Sequence, residues 1–65
     1  MKPAIKEEHS EYYKWLEFLR LTGITNMYGA RPYLERQFGL SKEEAADILY
    51  EWMTNYDELA EKYGW

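Results

Sequence analysis

Three carboxylates recur every four residues in the last third of the chain, at Glu43, Asp47 and Glu51. Residues four apart lie on one face of an α-helix, so these side chains are predicted to share a surface. Two of them could bridge a divalent cation, but hard cations need six or more oxygen ligands from several directions. A solvated acidic face is therefore the favoured interpretation, and neither a metal nor a cofactor is expected.

Groups that could carry out catalysis are scarce. The chain has one histidine and no cysteine, and His9 lies in a charged stretch where a solvated or helix-capping side chain is favoured over a metal ligand. Nucleophilic catalysis needs a Ser, Thr or Cys beside an oriented base, and no such pattern is present. The glycines are isolated, which argues against a phosphate loop. We expect no enzymatic activity.

The acidic positions have an aromatic neighbour, which favours contact with a protein. Residues 43–65 hold seven acids and one lysine, and the chain as a whole has a net charge of -4. An acidic surface attracts a basic partner. We therefore predict a protein-interaction module whose partner has a basic surface. Its predicted partner-binding residues are Glu43, Asp47, Tyr50 and Glu51, together with Tyr28.

A basic middle segment supports a different function. Arg20, Arg31 and Arg36, with Tyr33, could hold a phosphate backbone and stack unpaired bases, which defines an alternative nucleic-acid patch. The opposing interpretation is that Arg31 and Arg36 neutralise the acidic third helix within the domain. We favour the opposing interpretation, so nucleic acid is the less favoured partner.

A third function is self-association as a homodimeric assembly factor. Aromatic residues make up 18% of the chain, with seven Tyr and three Trp. So high a content in a small chain suggests that some aromatics remain at the surface. Tyr63 and Trp65 at the carboxyl end could anchor a second copy.

The elements that must position these residues are predicted to be helices. Ile5, His9, Tyr12, Leu16 and Leu19 recur at spacings of three or four, with Trp15 beside them, as in an amphipathic helix. We predict the first helix from about Lys6 or Ser10 to Leu21. Gly23 is expected to end it, and Ile24 to pack back on its end.

The middle of the chain is predicted to hold a second helix and a corner. Pro32 favours either a short helical turn at 26–30 followed by a helix from Pro32, or one kinked helix. The second helix should end at Gly39. Ser41 and Glu44 then match the capping box that begins a helix, so the run resembles a helix-turn-helix corner. The helix that it begins is acidic, which argues against contact with phosphates.

The third helix is predicted to run from Ser41 to about Tyr56, with the remainder helical but frayed or bent. The alternative is a break near Thr54 and Asn55, because Asn55 with Glu58 repeats a weaker capping box. Gly64 would end the last helix. Strand-like alternation is absent, so we predict an all-α fold: a compact three-helix domain with a helix-turn-helix-like corner and a short fourth helix as an option.

The chain is predicted to be a single small domain over residues 1–65, with 1–9 as a lead-in that need not be ordered. No stretch approaches the 18 or so apolar residues of a membrane span, and the first residues lack the apolar core of a signal peptide. We therefore expect no membrane association and a cytoplasmic location.

Several motifs resemble a family of short uncharacterised proteins encoded by bacteriophages and prophages. The resemblance covers about residues 12–54 and implies a phage origin, in the cytoplasm of a bacterial host. It implies no activity. The matching motifs are Thr25-Asn26-Met27-Tyr28-Gly29-Ala30, Pro32-Tyr33-Leu34, Phe38-Gly39-Leu40-Ser41, Glu44-Ala45, Ile48-Leu49 and Trp52-Met53.

Overall fold

Four helices and a short lead-in form the structure, a computed structural model that describes residues 3–24 and 29–65. Within those ranges there is no strand, so the predicted all-helical class is confirmed. A 3-10 turn at Glu7–His9 precedes the first helix. The α-helices are α1 at Ser10–Thr22, α2 at Ala30–Phe38, α3 at Lys42–Thr54 and α4 at Tyr56–Tyr63.

The core receives side chains from all four helices. α1 contributes Leu16 and Leu19, as the apolar spacing predicted, but it also buries Tyr13, which the predicted stripe did not include. Burial of these side chains supplies most of the stabilisation available to so small a domain. The buried hydrophobic residues are Tyr13, Leu16, Leu19, Ala30, Leu34, Ala45, Ile48, Leu49, Trp52 and Leu59.

α1 begins at Ser10, the later of the two predicted positions, and ends at Thr22, one residue beyond the predicted end at Leu21. Gly23 ends it with φ 70°, a left-handed conformation that glycine adopts at low cost. The prediction that Ile24 packs back on the helix end is wrong, because its side chain is 62% exposed. Phe18 and Leu21 are exposed as well, on the side of α1 that faces away from the core.

α2 begins at Ala30, two residues before the predicted start at Pro32. Pro32 therefore lies in the first turn, where its missing N–H removes no intrahelical hydrogen bond. The predicted turn at 26–30 lies mostly outside the described residues. Tyr28, one of the predicted partner-binding residues, also lies outside them.

The corner between α2 and α3 forms as the sequence predicted. Gly39 ends α2 at φ 66°, and the N–H of Leu40 donates to the carbonyl of Glu35 at 3.1 Å. The Ser41 hydroxyl accepts from the N–H of Glu44, and the Glu44 carboxylate accepts from the N–H of Ser41. The capping box is confirmed, and it begins α3 at a defined position after α2.

The helical segment after Ser41 is interrupted at Asn55: α3 ends at Thr54, two residues before the predicted end near Tyr56, and the remainder is helical in α4, as the favoured prediction expected. The alternative break near Thr54 and Asn55 is correct, but its cause differs from the weak capping box. Asn55 is buried, and its side-chain amide donates to the carbonyls of Pro3 and Glu51 at 2.8 and 3.1 Å. A buried amide with two acceptors fixes this junction.

The carboxyl end folds back on α4. Gly64 ends the helix as predicted, with φ 74°, and the N–H of Trp65 donates to the carbonyl of Ala60 at 2.8 Å. The Trp65 ring stacks on Tyr63 with centroids 5.3 Å apart and lies 6.0 Å from the ring of Tyr56. These two predicted anchors for self-association therefore contact each other within one chain.

Candidate partner-binding surface on the third helix

The three predicted acidic contacts of α3 do not share one environment. Glu43 and Asp47 are exposed, and neither makes an ion pair within the described part of the chain. Glu51 is only 3% exposed. The prediction that Glu51 lies on the exposed acidic face is therefore wrong, and the acidic surface of α3 available to a partner is smaller than the spacing suggested.

Glu51 is held by three donors from the amino-terminal part of the chain. Its Oε1 accepts hydrogen bonds from the Tyr13 hydroxyl and from Nδ1 of His9, each at 2.7 Å. Its Oε2 lies 3.3 Å from Nζ of Lys6. Burial by itself raises the pKa of the Glu51 carboxyl, but hydrogen bonds from His9, Tyr13 and Lys6 outweigh it and leave the pKa below its usual value. The carboxylate is charged, buried and paired.

The segment Pro3–His9, called the strap below, lies against α3 and α4 through these contacts. Besides the bonds to Glu51, the N–H of Lys6 donates to the Tyr13 hydroxyl at 3.2 Å. The carbonyl of Pro3 accepts from Asn55, and Glu7 pairs with Lys62. Ile5 packs against the core. Residues expected to form an independent lead-in thus contact three of the four helices.

A small pocket separates the strap from α3. Its volume is about 130 Å³. The strap contributes the Lys6 ammonium and the His9 ring to this pocket, and α3 contributes the carboxylates of Glu44, Asp47 and Glu51. The residues around it are Lys6, His9, Tyr12, Leu40, Glu44, Asp47, Ile48 and Glu51.

An open apolar groove lies on the other side of the exposed acids. Its volume is about 400 Å³, and it extends from Arg31 on α2 to four residues of α3. Tyr50 stands at this groove with 56% of its surface exposed, the largest aromatic exposure on α3. The α3 residues of the groove are Ala46, Leu49, Tyr50 and Met53.

The groove and the exposed acids adjoin along α3. Glu43, Ala46, Asp47 and Tyr50 are spaced at positions i, i+3, i+4 and i+7, which places them on one helical face. This set is called the outer face of α3 below. All four are exposed, so the outer face combines two carboxylates with an apolar edge. Such a surface can contact an apolar anchor and a basic side chain at once.

The arginines of the alternative patch are already engaged. Arg20 makes two hydrogen bonds to Glu17, at 2.7 and 3.0 Å, and lies over the Tyr56 ring. These contacts raise the pKa of Arg20 and lower that of Glu17, whose carboxylate also accepts from the Tyr56 hydroxyl. Arg20 therefore serves as the partner of a buried carboxylate.

Arg31 and Arg36 do not neutralise α3, contrary to the favoured interpretation. Arg31 pairs with Glu35 of its own helix at 3.6 Å. Arg36 lies over the ring of Tyr33 with 5.1 Å between the guanidinium carbon and the ring centroid. Five residues of helix rotate a side chain by about 140°, so the two arginines point to different sides of α2. Of the predicted patch, the structure brings together Arg36 and Tyr33 but not the three arginines.

Metal binding finds no support in the described part of the chain. Over residues 3–24 and 29–65, no group of three or more His, Asp or Glu residues is arranged to hold a metal ion. The oxygens of Glu51 already accept from protein donors. Among the same residues, no helix has the length and apolar character needed to cross a bilayer.

The sequence reasoning missed Tyr13, Glu17 and Asn55, which make the buried polar contacts. The i, i+3 spacing of Glu17 and Arg20 could have predicted their ion pair. The partners of Tyr13 and Asn55 are 38 and 52 residues away in the chain, so no local pattern indicated them. No protein-family model, curated protein or solved structure matches this chain.

Proposed function

We propose that the chain is a small protein-interaction module that binds a basic, amphipathic segment of a partner on the outer face of α3. The observation that carries this proposal is the exposed Tyr50, which stands between an apolar groove and two carboxylates that make no ion pair among residues 3–24 and 29–65. Exposed aromatic residues beside a groove are typical anchors of protein interfaces.

The partner chemistry follows from how the surface is arranged. A segment with an apolar side chain could fill the groove between Arg31 and Met53. Basic side chains on the adjacent side of that segment would then face Glu43 and Asp47. An amphipathic helix offers this combination, which is the helix-in-groove mode of recognition. The acidic residues would mainly increase the association rate, and the groove would supply contact area.

The resemblance to short bacteriophage and prophage proteins suggests where such a partner acts. On this proposal the module works in the cytoplasm of a bacterial host, and the partner is a host protein with a basic surface. The chain itself would have no catalytic role.

A fluorescence titration tests the proposal. The probe is a labelled 14-residue peptide of leucine and lysine in amphipathic order, and the control peptide has glutamate in place of lysine. We expect the lysine peptide to bind and the glutamate peptide not to bind. Tyr50→Ala should weaken it by about fivefold or more, as expected for loss of an interface anchor. The double variant Glu43→Lys, Asp47→Lys should weaken it by about tenfold.

Glu11→Lys provides the matched control for charge reversal, because Glu11 is exposed on α1. Its affinity for the lysine peptide should stay within about twofold of the unchanged chain at 0.15 M salt, where distant surface charges are screened. If the α3 variants and the α1 variant bind equally well, the outer face of α3 is not the binding surface.

A second copy of this chain is an alternative partner, and one observation favours it. Phe18, Leu21 and Ile24 are 60, 69 and 62% exposed at the end of α1, an unusual number of large apolar side chains for one region. Sedimentation over a concentration series would detect a dimer, and Phe18→Ser should then shift it to monomer. A constant monomer mass in the unchanged chain would eliminate the assembly-factor hypothesis.

Nucleic-acid binding remains the least supported alternative, since Arg20 and Arg31 are paired with carboxylates. A titration with single- and double-stranded DNA at low salt tests it. Phosphate contacts strengthen steeply as salt falls, so absence of binding under those conditions would rule this function out.

A further inference from the structure

The strap carries a cation, Lys6, that contacts the buried carboxylate of α3. Nζ of Lys6 lies 3.3 Å from Oε2 of Glu51, at the edge of the pocket that Asp47 also lines. Asp47 belongs to the outer face of α3 as well. The pocket under the strap and the outer face of α3 therefore adjoin at the carboxylate of Asp47.

Lys6 differs from the other two donors to Glu51 in how firmly it is held. Its side chain is 49% exposed, whereas that of His9 is 20% exposed and Tyr13 is fully buried. Its contact is also the longest of the three, at 3.3 Å against 2.7 Å. Because the ammonium is half exposed, water and salt screen its attraction to the buried carboxylate and reduce what the contact contributes to stability. Lys6 is the donor that an outside cation can replace without removing His9 or Tyr13.

We propose that Lys6 is an autoinhibitory contact: it competes within the chain for the position that a basic side chain of the partner takes on Glu51. This inference rests on the proposed function and identifies how that surface is regulated. A partner that reaches past Asp47 into the pocket displaces the Lys6 ammonium, while His9 and Tyr13 keep the carboxylate buried. Binding is weakened by the fraction of molecules in which Lys6 is in place.

Two charge-matched variants separate this contact from general electrostatics. Lys6→Ala and Lys42→Ala each remove one positive charge, and Lys42 is exposed at the first position of α3 without contact to Glu51. Long-range attraction for the leucine-lysine peptide increases similarly in both. We expect Lys6→Ala to bind the peptide about three- to fivefold more tightly than Lys42→Ala, because competition within the chain cannot exceed the strength of one screened ion pair. Equal affinities would overturn the inference.

A variant that keeps the packing of the Lys6 side chain separates loss of the ammonium from a change in the fold. Lys6→Met retains a long apolar stem without the ammonium, and circular dichroism confirms that each variant is helical. We expect Lys6→Met to bind as tightly as Lys6→Ala. Affinity equal to that of the unchanged chain would show that the ammonium does not compete.

A small cation tests the position on Glu51 even if the peptide fails to bind. Absence of peptide binding in every variant would overturn the proposed function, and methylguanidinium would then be titrated into the unchanged chain and Lys6→Ala. We expect chemical-shift changes at the amides of His9 and Glu51 in Lys6→Ala, with much smaller changes in the unchanged chain. The absence of such changes in both proteins would refute the competition by Lys6.

Discussion

Glu51 and Asp47 lie four residues apart on α3, yet they are in opposite environments. Glu51 is buried and accepts from Tyr13 and His9, whereas Asp47 is exposed and makes no ion pair in the described part of the chain. The difference shows that helical spacing alone does not define a surface. The helix sets the direction of each side chain, but the strap and α1 cover one of these directions and leave the other open.

The angle around the helix explains how neighbouring positions diverge. Eight residues separate Glu43 from Glu51, which rotates the side chain by about 80°. That rotation brings Glu51 towards the side of Ile48, which is in the core. A stripe spaced strictly at four residues therefore drifts around the helix, and its last member passes from the solvent side to the covered side.

The two environments differ in how much each carboxylate contributes to stability. A buried carboxylate with three donors connects the strap, α1 and α3, so its removal leaves buried donors without an acceptor. The exposed carboxylates of the outer face cost little to replace. Stability measurements on matched variants test this difference directly.

The largest effect is expected from Glu51→Ala. Removal of the carboxylate leaves the hydroxyl of Tyr13 and Nδ1 of His9 without their acceptor, at a cost of about 3 kcal/mol. A domain of this size has a free energy of unfolding of roughly 3–10 kcal/mol, so the variant should keep no more than about 7 kcal/mol of it and, at the low end of the range, be about half unfolded at room temperature. Urea denaturation followed by circular dichroism measures the loss.

Asp47→Ala is the control for Glu51→Ala, because it removes a carboxylate from the same helix at an exposed position. Its free energy of unfolding should change by no more than about 0.5 kcal/mol. Similar losses in the two variants would contradict the assignment of Glu51 as a structural residue.

Acid should have the next largest effect on stability. The pKa values of Glu51 and Glu17 lie below their ordinary value of 4.5 in the folded chain. The unfolded chain then binds more protons in this range, so the stabilisation is complete above about pH 4.5 and is lost as the pH falls through the folded pKa values. Urea denaturation between pH 7 and pH 3 should show this decrease.

The variants Glu51→Gln and Glu17→Gln identify the groups responsible for the acid effect. Each should be less stable at pH 7 and less sensitive to acid than the unchanged chain, since one titrating carboxyl is gone. Unaltered pH profiles in both buried-site variants would show that other carboxyls cause the acid sensitivity.

A smaller effect is expected from Tyr13→Phe. The Tyr13 hydroxyl donates to Glu51 and accepts from the N–H of Lys6, so its removal breaks two hydrogen bonds and costs about 1–2 kcal/mol. Burial raises the pKa of this hydroxyl, which is therefore protonated and able to donate at neutral pH. Thermal denaturation gives the difference in stability.

Tyr12→Phe is the matched control for Tyr13→Phe. Tyr12 is half-buried, its ring packs on Phe38, and within the described residues its hydroxyl makes no hydrogen bond. We expect a change of no more than about 0.5 kcal/mol. Equal losses in the two tyrosine variants would contradict a specific contribution of the Tyr13 hydrogen bonds to Lys6 and Glu51.

The smallest effect on stability is expected from the double variant Glu43→Gln, Asp47→Asn. Both side chains are exposed, and the only expected loss is the favourable interaction of Glu43 with the amino-terminal end of α3, at most about 0.5 kcal/mol. The melting temperature should barely change while affinity for the lysine peptide falls. A large loss of stability would mean that these residues are structural, and the comparison with Glu51 would fail.

Much of the fold was predictable because its signals are local. Gly39 followed by Ser41 and Glu44 specifies the end of one helix and the beginning of the next within six residues. Backbone conformation and capping hydrogen bonds at this corner depend on adjacent residues alone. The positions of α1 and α3 followed from apolar spacing in the same way, whereas the burial of Tyr13 did not.

The candidate site was less predictable, because its residues depend on partners far along the chain. Glu43, Asp47 and Tyr50 are exposed as expected, but Glu51 is not. The strap that covers Glu51 comes from the other end of the sequence. Its contacts with Glu51 are made by polar side chains, so an apolar pattern could not predict that it packs on α3. The prediction that Arg31 and Arg36 neutralise α3 was wrong, because both arginines interact with residues of their own helix, α2, instead.

The sequence by itself determined an all-helical chain, the corner after α2, the glycines that end the helices and the acidic character of α3. These properties depend on local conformational preference and on composition. Only the tertiary structure decided that α3 stops at Asn55, that the strap packs on α3 and α4, and that Glu51 is internal. Those outcomes depend on hydrogen bonds and burial between segments more than 35 residues apart, as in the contact of Asn55 with Pro3. Helical periodicity does not predict such contacts, because it describes only residues close together in the chain.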